Sequence, residues 1–264
     1  EERDGLVEEL GDGFAGIRRR PRVLHLGVAA DEPTIGMVGV DGGVAAVEIF
    51  DAARKEIEAR LREAQTRFRA TVPADIASEW RGFLADPTRS LVDAARAADL
   101  VVTGRSESAT FSGTRWIDIG GLVLSAGRPV ILVGDGIKAV KAERIIIAWK
   151  DTREARRAVS DALPFLASAT DVLAITISEG EAETETAALA DLVDWLKRHG
   201  VTARSELIDN PEGFIDVLES QARASGADMI VAGGYGHSRM REWLFGGMTR
   251  NLLEANTLSR FLSN

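Results

Sequence analysis

Cysteine is absent from the 264-residue chain, which excludes a disulfide scaffold, cysteine-ligated zinc and thiol catalysis. The three histidines (His25, His199 and His237) form no ligand-like cluster, so no metal site is expected. No apolar run reaches the roughly 18 residues of a membrane span, and no membrane association is expected. Positive charge is short as well: 32 Lys+Arg face 41 Asp+Glu, a formal charge of −9. Neutralising a phosphate backbone needs a basic surface, so nucleic acid is not an expected partner. The opening EERDGLVEELGDG is acidic and unlike a secretory leader. Together with the missing cysteines it fits a reducing cytoplasm. What remains is ordinary globular composition, 45% apolar and 28% charged, with one excess. Glycine occurs 26 times, about a tenth of the chain, against a usual share near 7%.

Past residue 142 the pattern is regular. Glu143–Trp149 (ERIIIAW) is a short β-branched run, predicting a buried strand. Thr152 offers an N-cap, and Ala155, Val159, Leu163 and Leu166 mark one helical face that Pro164 should bend or end. Asp171–Ser178 is a second buried strand, followed by the solvated acidic stretch EGEAETET. Leu189, Leu192, Val193 and Leu196 define a helix closed at Gly200. Val201–Ile208 is a more alternating, edge-like strand. Pro211 opens a helix that ends at Gly226, and Asp228–Ala232 is a fourth strand. A helix over Thr249–Ala255 and a last strand near Leu258–Ser263 complete the series. Strands alternating with amphipathic helices predict a parallel sheet covered on both faces, with right-handed crossovers.

The first half repeats this less completely. It predicts strands at 23–28, 99–102 and 129–133, a long helix over 43–70 and a shorter one over 90–97. AARAADLVVTGR (94–105) echoes ARASGADMIVAGG (222–234), each a helix end, a small-residue turn and a buried strand closing on glycine. A repeat at that period points to two copies of one unit, divided near Gly134–Lys141 into 1–136 and 142–264. A first strand should precede Val23 in the first copy, yet residues 1–20 contain no buried apolar run.

The glycines are unevenly informative. Seventeen precede residue 140 and nine follow, but five of those nine lie between Gly233 and Gly247. In VAGGYGHSRMREWLFGGMTRNLL, Gly233 and Gly236 let a ligand approach bare backbone, and Gly246–Gly247 leave the first amides of the next helix accessible to an anion. The plain alternative is a tight turn that packs helix on sheet. In an open parallel sheet, ligands lie beyond the strand ends where strand order reverses, so the segment after Trp149 should face the glycine loop. A Walker loop and a GxSxG elbow are both missing, and Arg239 occupies the last position of a GxGxxG.

Gly233-x2-Gly236-x9-Gly246-Gly247 resembles the nucleotide loop of the universal stress protein family, G-x2-G-x9-G-[ST]. IIIAWKDTREARRAVSDALPFL resembles the first strand and helix of its tandem bacterial members. The resemblance covers nearly all of 142–264 and much of 22–134. It implies two tandem open parallel five-stranded sheets, order 3-2-1-4-5, flanked by helices, with the first copy incomplete or degenerate. It also implies an intramolecular pseudo-dimer, allows a homodimer, and makes ATP with Mg the candidate ligand. The implied nucleotide site comprises Trp149, Lys150, Asp151, Thr176, Gly233, Gly236, His237, Gly246, Gly247, Met248 and Thr249.

Four departures weigh against that implication. Gly247 stands where the loop has a hydroxyl, with Thr249 two residues on. Lys150 stands where the first strand ends in a carboxylate, with Asp151 next. The first copy, GRSESATFSGTRWIDIGG, has no GxxG pair, and Arg260 interrupts the last strand. Trp149 is either core or a wall of the crevice. His237 and Ser238 are adjacent with no acidic orienter nearby, so no catalytic residue is expected. Two functions follow: an adenine-nucleotide-binding stress-response module, or a nucleotide-free interaction scaffold whose crevices have decayed.

Overall fold

The computed structural model describes residues 24–33, 43–104, 116–178, 180–209, 214–234 and 258–264. Two compact units emerge, one built on Asp99–Arg105 and Gly127–Asn264, the other on Arg20–Ala98 and Ser106–Ala126.

The larger unit holds a seven-stranded sheet. Its strands are β3 (Val101–Gly104), β4 (Val130–Val133), β5 (Arg144–Ala148), β6 (Asp171–Ser178), β7 (Arg204–Asp209), β8 (Met229–Gly233) and β9 (Ser259–Ser263). They lie in the order β3-β4-β9-β8-β5-β6-β7. Within β5 to β9 every pairing is parallel, and the order is the expected 3-2-1-4-5. β5, an isoleucine run, sits at the centre with Ile145, Ile146 and Ile147 each 1% exposed.

Alternate β5 residues point to opposite faces, as strand geometry requires. Ile145 and Ile147 join a core with α4 (Arg153–Asp161), α5 (Leu163–Leu166) and α6 (Ala182–Arg198). Ile146 packs with Leu218 and Ala222 of α7 (Phe214–Ser225). The unit is therefore covered on both faces.

Local signals set the helix ends. Thr152 accepts a hydrogen bond from the Ala155 amide at the start of α4. Pro164 interrupts as expected: α4 stops at Asp161, and α5 restarts with proline in its first turn, where a missing N–H costs nothing. Acidic Glu183 and Glu185 open α6, while Lys197 and Arg198 close it, both favourable to the helix dipole. Gly200 (φ 79) and Gly226 (φ 64) adopt the left-handed conformation that terminates α6 and α7.

The smaller unit contains β1 (Leu24–Asp31), α1 (Gly43–Thr71), β2 (Ala77–Leu84), α2 (Pro87–Ala95) and α3 (Ile119–Ser125). β1 and β2 form a parallel two-stranded sheet, with α1 on one face through Phe68 and Trp80, whose rings stand 5.5 Å apart. Neither β2 nor α3 was expected from the sequence. β2 reads ASEWRGFL, whose Glu79 and Arg81 mimic a loop. α3 (IGGLVLS) holds two glycines in seven residues, a composition that argues against helix.

The echo between 94–105 and 222–234 is structural as well. α2 leads to β3, and α7 leads to β8. β4 and β9 are then the final strands of the two series, and they pair antiparallel, Val130 with Leu262 and Leu132 with Arg260. The first series thus supplies β1 and β2 as the 2 and 3 positions of the order, and β3 and β4 as 4 and 5. Position 1 is unfilled among the described residues: β1 and β2 form a two-stranded sheet, and β3 and β4 belong to the seven-stranded one.

Candidate functional site

Strand order reverses at β5. From there the chain proceeds outward through β6 to β7, then returns to the opposite side of β5 as β8 and β9. The carboxyl ends of β5 and β8 therefore flank the crevice where an open parallel sheet takes ligands. Ala148 pairs with Ile175 on one side and Ala232 on the other, so Trp149 stands level with Thr176 and Gly233. The fold thus gathers five expected positions, Trp149, Lys150, Asp151, Thr176 and Gly233, at three adjacent strand ends. Gly236, His237, Gly246, Gly247, Met248 and Thr249 lie outside the described residues, as does the helix expected over Thr249–Ala255.

Trp149, Thr176, Asp151 and Gly233 each have a definite local role. Trp149 is 6% exposed and belongs to the core on the α4–α6 face. Its backbone N–H donates to the Ile175 carbonyl at 2.8 Å, while its indole Nε1 is buried without a hydrogen-bond partner. The Thr176 hydroxyl, also buried, donates to the Trp149 carbonyl at 3.2 Å, so it braces the β5 end. Lys150 is exposed. Asp151 accepts from Arg156 of α4, Nη2 lying 2.6 Å from its Oδ1.

Gly233 has a steric reason to be glycine. A Cβ there would collide with the first turn of α4, at 2.6 Å from the Glu154 carbonyl carbon and 2.8 Å from the Ala155 Cα, and closer still to the Ala155 nitrogen. Helix backbone thus rests directly on the β8 end, which is the close helix-on-sheet packing of the plain alternative. Just beyond, the Gly234 amide donates to the Ser263 carbonyl at 2.6 Å, and the Asn264 side chain donates to the Gly234 carbonyl at 3.0 Å.

The positive end of α4 is engaged by its own residues. Glu154, only 4% exposed, accepts from Arg153 at 3.0 Å. Burial raises its pKa, but hydrogen bonds from its own backbone amide, Arg153 and Thr152, with the charge of Arg153, hold the carboxyl below its usual value. A buried carboxylate at this helix start repels a phosphate, so the N-terminus of α4 is poorly suited to an anion.

Sequence reasoning missed a cavity beside Trp149 and Asp151 and a carboxylate at the opposite strand ends. Trp149, Asp151, Arg156, Val159, Ala188, Asp191, Leu192 and Trp195 line a cavity of about 410 Å³ between α4 and α6. Only the helical face of α6 hinted at it, and no motif links Arg156 to Asp151. At the opposite strand ends, Asp228 accepts from the Glu143 and Arg144 amides at 3.0 and 3.2 Å, tying the starts of β5 and β8 together. Burial raises the Asp228 pKa, with the two amides opposing it.

Arg260 is buried at 5% exposure in β9, and burial pushes its guanidinium down to about 10, partly offset by Glu219. It does not disrupt the strand, which pairs on both edges. No three His, Asp or Glu side chains among the described residues gather as a metal site, and no described helix is long and apolar enough to cross a membrane.

No family model matches the chain, and no curated protein matches it. Solved structures do. A universal stress protein from Archaeoglobus fulgidus DSM 4304 superposes with TM-score 0.66 at 17% identity, covering 98% of this chain and 90% of its own. A functionally unknown protein from Pseudomonas aeruginosa PAO1 superposes with TM-score 0.53 at 14% identity, covering 92% of this chain and 93% of its own. At these identities the likeness is one of fold: the described elements follow the fold of a universal stress protein.

Proposed function

We propose that the C-terminal region, 142–264, is an adenine-nucleotide-binding module of a cytoplasmic stress-response protein, with ATP and Mg as its ligand. It acts by ligand-dependent association rather than turnover. The observation that carries this reading is the reversal of strand order at β5 and β8, with Gly233, the first glycine of the x2–x9 spacing, level with Trp149. In this reading the nucleoside lies over the ends of β5 and β6, the Lys150 ammonium meets the phosphates, and Thr249 supplies the hydroxyl that Gly247 lacks. The antiparallel β4–β9 pairing supports an intramolecular pseudo-dimer of the two copies.

A second reading is favoured by Gly233 and Asp151. One is held by packing on α4 and the other by Arg156, so both have structural employment without a ligand. On that reading the chain is a nucleotide-free scaffold. Mass spectrometry of small molecules released from the denatured protein, followed by ATP calorimetry, separates the two. Co-purified nucleotide that is lost on Gly236→Val supports the module. No binding at millimolar ATP with magnesium overturns the module in favour of the scaffold.

A further inference from the structure

Strand alternation sends the Trp149 side chain to the face of the sheet that α4 and α6 cover, with Ile145 and Ile147. There it lines the cavity of about 410 Å³ between the two helices. The described walls come from α4, α6 and the segment that follows β5, and none comes from β8. The cavity is therefore a different place from the crevice where β5 and β8 end. On α6, Ala188, Asp191, Leu192 and Trp195 recur every three or four positions and share one stripe of the helix. Ala188 is its small member and leaves the room, while Val159 and Leu192, both buried, make the lining apolar.

Three features of the wall point to a ligand. Trp149 is more than nine-tenths buried, and its indole N–H has no hydrogen-bond partner among the described residues. A buried indole ordinarily reaches an acceptor, so the wall holds a donor whose acceptor must come from elsewhere. The second indole, Trp195, is held in place by His199, whose ring centroid lies 4.0 Å away and whose Nδ1 is 2.8 Å from the Trp195 carbonyl oxygen. Of the two carboxylates, Asp151 is engaged by Arg156, whereas Asp191 makes no ion pair with a described residue.

We propose that this cavity binds a small, neutral heteroaromatic amine. The ring nitrogen of the ligand accepts from the Trp149 N–H, its flat face lies against Trp195, and its amino group donates to Asp191. The volume falls within the range of small-molecule sites. The site does not depend on nucleotide occupying the crevice.

The test titrates 6-aminoquinoline into the full chain and follows the indole N–H resonances of its five tryptophans by NMR, with Trp149 assigned through its own backbone resonances. Saturable binding with a downfield shift of the Trp149 indole proton is expected, and saturating ATP should leave it unchanged. 2-Naphthylamine, which lacks the ring nitrogen, should bind about tenfold more weakly, the worth of one hydrogen bond. Ala188→Leu, which fills the cavity with a good helix former, should abolish binding while the remaining indole resonances keep their positions. An unmoved Trp149 proton at millimolar 6-aminoquinoline, equal affinity for 2-naphthylamine, or undiminished binding to Ala188→Leu each overturns the proposal. So does displacement by ATP, which would make the cavity part of the nucleotide crevice.

Discussion

Replacing Gly233 by alanine adds one methyl group where helix backbone already stands. The new Cβ would sit 2.6 Å from the Glu154 carbonyl carbon and 2.8 Å from the Ala155 Cα. Backbone cannot swing aside as a side-chain tip can, so the first turn of α4 must lift from the sheet. Forcing a methylene into packed structure costs about 1–3 kcal/mol. The lost freedom of glycine in the unfolded chain returns about 0.4–1 kcal/mol, so the net effect is a loss of up to about 2.6 kcal/mol. Gly104 supplies the control. It ends β3 as Gly233 ends β8, yet a Cβ there meets nothing within 4 Å. Gly104→Ala should therefore be neutral, or stabilising by at most about 1 kcal/mol. Urea titration with unchanged slope reads the first as a lowered midpoint and the second as an unchanged or raised one. A Gly233→Ala midpoint equal to or above that of the parent would refute the packing argument.

Asp228→Ala should cost about 1–3 kcal/mol in the same titration, because it strips the Glu143 and Arg144 amides of their acceptor. Asp228→Asn should recover most of that loss. His25 has a folded-state pKa lowered by burial below its ordinary 6.5, so the unfolded chain binds more protons near that value. Its contribution is complete above pH 6.5 and is lost as pH falls toward the folded value; His25→Leu should flatten the decline between pH 7 and 5 seen by urea midpoint. Gly247→Ser restores the hydroxyl of the family loop, and calorimetry should then show at least tenfold tighter ATP binding, about 1.4 kcal/mol. Lys150→Asp should weaken ATP binding, and equal or tighter binding by that variant would show that Lys150 does not meet the phosphates.

The C-terminal architecture was legible because each of its signals was local and unopposed. The isoleucines of β5 admit only a buried strand, Thr152 caps a helix on the spot, and Gly200 and Gly226 end theirs at the expected places. β2 was illegible for the opposite reason. Its polar residues are those an exposed strand tolerates, so Glu79 and Arg81 read as loop until β1 is seen to pair with them. The crevice was foreseeable from topology, but the engagement of its members was not. That Asp151 is held by Arg156, and that Gly233 lies against α4, depends on where a helix lands on a sheet, which no spacing encodes. Trp149 shows the limit sharply: both readings of it were open, and strand alternation then placed its side chain in the core and left its backbone at the strand end.

The central claim is that adenine nucleotide binds where β5 and β8 end. Photolabelling with 8-azido-ATP, followed by digestion and peptide mass spectrometry, tests it most directly. The account predicts labelled peptides spanning Trp149–Thr152 or the segment after Gly233, with labelling suppressed by excess ATP. Labelling confined to the β1–β2 unit, or none that ATP suppresses, would contradict it.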